Sequence, residues 1–293
     1  MPTNESIYSF AALHNRLHIR GNLVALTGLR IGAGRSSNII GNDLPVLRDA
    51  AGAPFVPGAS LKGAFRARLD ALVRTVQPDQ ALDLLELEDK QRMVISKLKE
   101  RNDLAKDDRA LSKEIWQKST LIDLTFGAQW VAGRVFFKDA LVDRLLWFDQ
   151  YEIRNGVAIN RDTETVNGAN LYDYEVVPAG VRFTFELVLE NAAPWQLGMI
   201  LLALRPWQNG DVQIGGFRSR GLGHVKLTDA SAQYTDLSSV DGVLSLLGYG
   251  DTTTTRDLPL DAPDSTMHTW FRAFKQALIN PTAVIAEGAS ANA

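Results

Sequence analysis

The chain has 293 residues, a net charge of −3 and no cysteine. The missing thiols exclude disulfides and thiolate-held metals, and no apolar run approaches the ~20 residues of a membrane span. A hydrophobic share of 45% supports a packed core. Met1 to Ser9 is polar and lacks a signal's apolar stretch, so a cytoplasmic protein is expected. The slightly acidic balance argues against an evenly basic nucleic-acid coat. It leaves room for a local basic patch, because acidic residues gather between Asp79 and Glu114.

At roughly 150 residues per domain, the length allows one large domain or two small ones. Leu17, Ile19, Leu23 and Ala25 alternate with His18, Asn22 and Val24, which predicts a strand over 16–27. A glycine-rich loop, Gly28 to Gly34, follows. Ser60 is placed as the N-cap of a helix carrying Leu61, Phe65, Leu69, Leu72, Val73 and Val76, closed by Pro78. From Asp79 to Ser119 both charge signs mix, and apolar spacing predicts two amphipathic helices, a solvated insertion or a docking surface. Gly133–Val142 reads as a strand.

The polar stretch from Tyr151 to Pro178 reads as a long hairpin or loop, a kind of segment that is usually functional. Val181, Phe183, Phe185, Leu187 and Leu189 alternate in the clearest strand of the chain. Leu197, Ile200, Leu201 and Leu204 predict a helix stopped at Pro206, and His224–Leu227 a last strand. The tail adds one amphipathic helix through Met267, Trp270, Phe271, Phe274 and Leu278. The order strand, helix, strand, strand, helix, strand is the ferredoxin-like (RRM-like) α+β pattern.

Two segments could carry chemistry. Pro57-Gly58-Ala59-Ser60-Leu61-Lys62-Gly63 feeds a helix whose start bears Ser60, Lys62 and Arg66. Free N–H groups and basic side chains there suit a phosphate; the plainer reading is a capped helix with solvated cations. Gly215-Gly216-Phe217-Arg218-Ser219-Arg220-Gly221-Leu222-Gly223 combines four glycines with two guanidinium forks. It matches neither a dinucleotide fingerprint nor a P-loop, and its plainer reading is a tight hairpin with exposed arginines.

His14, His18, His224 and His268 are scattered, and solvated or packed histidines are the default reading. Asp43 and Asp49 flank Arg48, and loop aspartates are usually turn formers. Phe183 and Phe185 share a strand face with other apolar residues and are placed in the core. Tyr151, Tyr172 and Tyr174 are the candidates for base stacking.

Taken in order, Gly28–Gly34, then Gly41-Asn42-Asp43-Leu44-Pro45-Val46-Leu47-Arg48, then Val56–Gly63 and Gly215–Gly223 resemble the RAMP superfamily. Within it they resemble the repeated backbone subunit of type III CRISPR effector complexes. Leu124-Thr125-Phe126-Gly127 with Gly133–Ala140 is similar to that family's middle strand.

The resemblance covers most of 16–228. It implies a single domain over 1–293: core about 16–228, helical insertion 79–118, thumb hairpin 150–178 and C-terminal extension 229–293. It also implies that subunits stack along a guide CRISPR RNA, beside other RAMP subunits and a large subunit.

The resemblance places the grip on the guide backbone on Ser60, Lys62, Arg66, Gly215, Gly216, Arg218, Ser219 and Arg220, with Arg30, Arg35, Asn160 and Arg161 as further RNA-binding residues. Asp43 falls where the family's cutting aspartate stands, acting as base or holding Mg2+ or Mn2+ while target RNA is cleaved at a thumb-induced kink. The sequence departs from the family at Arg30, where relatives carry histidine, and in the length of 79–118. Other readings are a non-catalytic cap or structural subunit, a histidine-dependent guide-processing ribonuclease, and a small-molecule enzyme of similar fold.

Overall fold

A computed structural model of the chain describes residues 10, 12–35, 42–80, 85–101, 108–159, 162, 164, 166–249 and 254–287. The strand β1 (Asn15–Ala25) leads through the first loop to a two-residue strand β2 (Phe55–Val56) and the long helix α1 (Gly58–Val76). The helices α2 (Leu85–Glu100), α3 (Asp108–Lys118) and α4 (Leu121–Phe126) follow. Then come β3 (Val135–Phe137), β4 (Ala140–Leu141), the paired strands β5 (Glu152–Ile159) and β6 (Val166–Val176), and β7 (Arg182–Glu190). The helices α5 (Pro194–Ala203) and α6 (Arg205–Asn209) and the strands β8 (Val212–Gln213) and β9 (His224–Asp236) close the core. The tail adds α7 (Val240–Leu246), β10 (Thr255–Leu258), α8 (Ser265–Ile279) and α9 (Pro281–Glu287).

The main sheet has the order β10-β9-β1-β7-β3 with every neighbouring pair antiparallel. Removing the edge strand β10 leaves fourth, first, third, second of the expected core, which is the ferredoxin-like order. Period two sends Leu17, Ile19 and Leu23 of β1, with Phe183, Phe185, Leu187 and Leu189 of β7, to one buried face. Leu61, Phe65, Leu69 and Val73 of α1 and Leu197, Ile200 and Leu201 of α5 form apolar stripes that join the same core. Phe65 stacks on Trp207 at 4.3 Å between ring centroids.

Several sequence expectations need correction. α1 starts at Gly58 and not after Ser60; Pro57 is its N-cap, and the Gly58 N–H donates to Asp139 Oδ1 at 2.7 Å. Ser60 is therefore an exposed residue inside the first turn. Gly133–Val142 breaks into β3 and β4, and β4 leaves the main sheet to pair with β2. Pro206 does not end helical structure: it sits in the first turn of α6, where its missing N–H costs nothing.

The last core strand runs far past Leu227. Its pairing with β1 skips from Thr228↔Asn22 to Ser231↔Arg20, and Asp229 at φ +50° marks the bulge. Among the described residues, the tail holds three helices and a strand rather than one helix. The stretch 79–118 contains α2 and α3, whose Ile95 and Leu98 pack with Leu111, Ile115 and Trp130 in a small satellite cluster.

Candidate functional site

Four segments are zipped together at one end of the sheet. The Gly216 N–H donates to the Arg30 carbonyl at 2.8 Å, and the Gly223 N–H to the Gly28 carbonyl at 2.9 Å. Ala33 and Leu47 then bond Pro45 and Ile31 across the next pair, at 3.1 and 2.8 Å. Leu44 bridges Tyr174 of β6, and the Glu175 N–H reaches the Leu44 carbonyl at 3.1 Å. The glycine-rich loop, the first loop, the Asp43 segment and the β5–β6 hairpin thus form one ladder.

The loop chemistry follows from backbone need. Gly215 has φ +80°, and a Cβ there would lie 2.3 Å from the Arg30 carbonyl oxygen, so no other residue fits without displacement. Phe217, at φ +57°, turns its ring inward onto Tyr174 and Tyr172, while Arg218, Ser219 and Arg220 stay exposed on a short 3₁₀ turn. Arg220 donates to the Tyr172 hydroxyl at 2.6 Å and lies 5.0 Å from the Phe217 centroid. Arg30 is only 9% exposed, with its guanidinium 5.3 Å from the same ring and its Nε without a hydrogen bond. Burial pulls its pKa below the usual guanidinium value. Arg35 is exposed at the far end of that loop.

Asp43 is half-buried, and it and Asp173 cap each other's backbone. The Asp43 N–H donates to Asp173 Oδ1 at 2.6 Å, and the Asp173 N–H to Asp43 Oδ2 at 3.3 Å. Among the described residues, Oδ1 of Asp43 makes no hydrogen bond. Glu175 sits beneath this loop, buried, and holds both of its ends. It accepts from Asn42 Nδ2 at 2.7 Å, from the Val46 N–H at 3.0 Å and from Arg48 Nη2 at 2.8 Å on each oxygen. Burial alone would raise the Glu175 carboxyl; the Val46, Arg48 and Asn42 donors outweigh it and hold the pKa below the ordinary value. Arg48 is in turn covered by Tyr151, 4.0 Å from its ring, whose hydroxyl donates to the Gly52 carbonyl at 2.9 Å. Burial pushes the Tyr151 phenol up to about 12.

Among the described residues, Ser60, Lys62 and Arg66 of α1 make no hydrogen bond or ion pair with those loops. Lys62 is half-buried, and burial and neighbouring Arg66 lower its pKa. Arg66 is half-buried and engaged by the protein: it donates to the Gly127 carbonyl at 2.9 Å and pairs with Asp123 at 3.2 Å. Asn160 and Arg161 lie outside the described residues.

Asp49 is a turn former, accepting from the Ala51 and Ala53 N–H groups at 2.9 and 3.0 Å. Tyr174, expected as an exposed stacking ring, is buried against Phe217. The histidines do not converge, and among the described residues no three His, Asp or Glu side chains group as a metal site. Asp173 and Glu175 escaped sequence reasoning. Their signal was an Asp-x-Glu pair on one face of a strand, opposite Tyr172, Tyr174 and Val176.

The RAMP superfamily profile matches residues 22–226. The chain belongs to the RAMP superfamily. This RAMP protein is 28% identical to the CRISPR system Cms endoribonuclease Csm3 of Methanocaldococcus jannaschii, over 74% of its own length and 80% of the relative's. It is 30% identical to the protein of the same name from Mycobacterium tuberculosis, over 78% and 93% of the two chains. The ladder of loops lies almost wholly within the matched region. No described helix of this RAMP protein is long and apolar enough to cross a membrane.

Proposed function

We propose that this RAMP protein is a guide-RNA-binding backbone subunit of a type III CRISPR effector complex and an endoribonuclease that cuts guide-paired target RNA at Asp43. The observation that carries the reading is the placement of Asp43. Its loop is hydrogen-bonded to the first loop on one side and to the β5–β6 hairpin on the other, and among the described residues one of its carboxylate oxygens makes no hydrogen bond. The family match and the two endoribonuclease relatives support it.

In this reading Arg218 and Arg220, exposed on a loop whose backbone is fixed from below, take guide phosphates, with Ser219, Gly215 and Gly216 at close approach. Arg35, Lys62, Ser60, Asn160 and Arg161 extend the contact. Arg30 and Arg66 hold the interface from inside. The hairpin acts as the thumb that displaces one guide–target pair. The partners are guide RNA, target RNA, further RAMP subunits and a large subunit.

Cutting needs a 2′-hydroxyl in line with the adjacent phosphate. Asp43 takes the hydroxyl proton, the 2′-oxygen bonds to phosphorus as the P–O5′ bond breaks, and the departing 5′-oxygen takes a proton from solvent water. The donor set fits a divalent ion of the Mg2+ or Mn2+ type. Such ions keep several waters and are commonly held by one or two carboxylates plus substrate phosphate oxygens, and Asp43 supplies a carboxylate oxygen that makes no hydrogen bond among the described residues. When bound, the ion supplies charge stabilisation at the phosphoryl group.

The test is cleavage of labelled, guide-complementary RNA by the purified complex, wild type against Asp43→Ala, with magnesium and with chelator. Regularly spaced cuts that vanish on substitution and on chelation are expected. Undiminished cutting by Asp43→Ala removes Asp43 from the chemistry. Guide binding without any cutting by the wild type makes this a structural or capping subunit.

A further inference from the structure

We propose that Glu175 of β6, with Arg48, is a positioning residue for target cleavage: it locks the Asp43 loop to the β5–β6 hairpin, so that the hairpin's seating on the RNA sets where the loop cuts. The inference rests on the reading of Asp43 as the cutting residue.

The geometry is specific. The Glu175 carboxylate holds Asn42, one residue before Asp43, and the Val46 N–H, three residues after it. It also holds Arg48, five residues after it, on both oxygens. Its own N–H grips the Leu44 carbonyl, one residue after Asp43, at 3.1 Å. A single side chain and its backbone thus fix the loop on both sides of the acid without touching the acid itself.

Arg48 passes the constraint to the hairpin's other strand region, because its guanidinium is covered by Tyr151 at 4.0 Å, next to the start of β5. Asp173, two residues earlier on the same face of β6, closes the unit through the Asp43 N–H. A loop of this kind, carrying a turn-forming Asp49 and a proline at 45, has no helix or long strand of its own to hold it. The first loop bonds its backbone at Pro45 and Leu47, and the hairpin supplies the side-chain grip on both sides of Asp43. Since a misplacement near 1 Å can cost roughly 100-fold in rate, the lock belongs to the catalytic apparatus by holding the loop that carries Asp43.

The experiment uses the guide-loaded complex carrying Glu175→Ala, Glu175→Gln, Arg48→Ala or the double substitution Glu175→Ala/Arg48→Ala. Single-turnover cleavage at saturating target, target affinity and cut positions are measured together, with Asp43→Ala alongside.

Glu175→Ala is expected to slow cutting by roughly 100-fold and scatter the cut positions, with target affinity unchanged. Glu175→Gln keeps the shape and one acceptor and should lose about tenfold, with positions retained. The double variant should cost little more than Glu175→Ala alone. A merely structural role would instead lower complex yield and target affinity and leave the cut positions alone.

Wild-type rate and positions in Glu175→Ala, with Asp43→Ala inactive, overturn the lock and leave the cutting role of Asp43 standing. Wild-type cutting by Asp43→Ala removes the underlying reading itself. Should Glu175→Ala fail to assemble, Glu175→Gln decides: a wild-type rate there overturns the lock.

Discussion

Phe217 of the glycine-rich loop lies against Tyr174 of β6, with ring centroids 4.5 Å apart. The contact turns two segments far apart in sequence into one surface. It also brings the guanidinium groups of Arg30 and Arg220 onto the Phe217 ring, at 5.3 and 5.0 Å. The loop's aromatic residue therefore organises arginines rather than meeting a base. Phe217→Ala should destabilise the chain by about 2 kcal/mol, since the ring is half-buried and carries two cation–π contacts. Guide affinity should fall with it, because Arg218 and Arg220 lose their fixed aim. Phe217→Tyr should keep both. Thermal melting and guide-RNA titration check the pair of effects.

The start of α1 depends on a residue 81 positions away: the Gly58 N–H donates to Asp139. A Cβ at Gly58 would lie 2.4 Å from the Phe137 carbonyl oxygen, so the helix start is pressed against the chain leaving β3. Gly58→Ala should cost about 1–3 kcal/mol through overpacking. Asp139→Ala should cost about 1 kcal/mol, as an N-cap loss does, and Asp139→Asn less. Denaturant unfolding of the three variants tests this order.

These two contacts show what the sequence could and could not reveal. β1 and β7 were legible because most of each strand alternates and buries one face, with breaks only at Gly21 and Val188. The far half of β9 was hidden because its bulge at Asp229 changes which positions face inward: Val225 and Leu227 give way to Ala232 and Tyr234. The helix start was misplaced because Ser60 looks like a local cap, whereas the N-cap is Pro57 and the first helical N–H is met by the distant Asp139. In the site, Asp43, Arg218 and Arg220 stood out through motif and composition. Asp173 and Glu175 did not, because their meaning lies in which loop they hold, and no local pattern records a partner some 130 residues away.

Lys62 and Arg66 share a helix face but have different surroundings. Arg66 is engaged by the Gly127 carbonyl and by Asp123, whose side chain is buried. Lys62 makes no ion pair among the described residues. Lys62→Ala should lower guide affinity, and the dependence of that affinity on salt, while leaving the melting temperature unchanged. Arg66→Ala should lower the melting temperature as well, by the equivalent of about 1–2 kcal/mol, because it removes a charged donor from buried Asp123 and from the Gly127 carbonyl. Equal melting of the two variants would contradict this division.

Glu175 gives the fold a predictable acid limb. Burial would raise its pKa, but the Val46 N–H, Arg48 and Asn42 hold it below the ordinary carboxyl value, so the folded state favours the ionised form. Its stabilising contribution is complete above the unfolded value, about 4.3. It is lost as pH falls through the lower, folded value. Glu175→Gln removes the titration and weakens the Arg48 pair, which is partly exposed, so a cost of about 1–2 kcal/mol is expected at neutral pH. The gap between wild type and Glu175→Gln should therefore be widest above pH 5 and close progressively below pH 4. Urea unfolding of both chains across that range measures the gap directly. A difference that stays constant down to low pH would mean that Glu175 is not held ionised by its three donors.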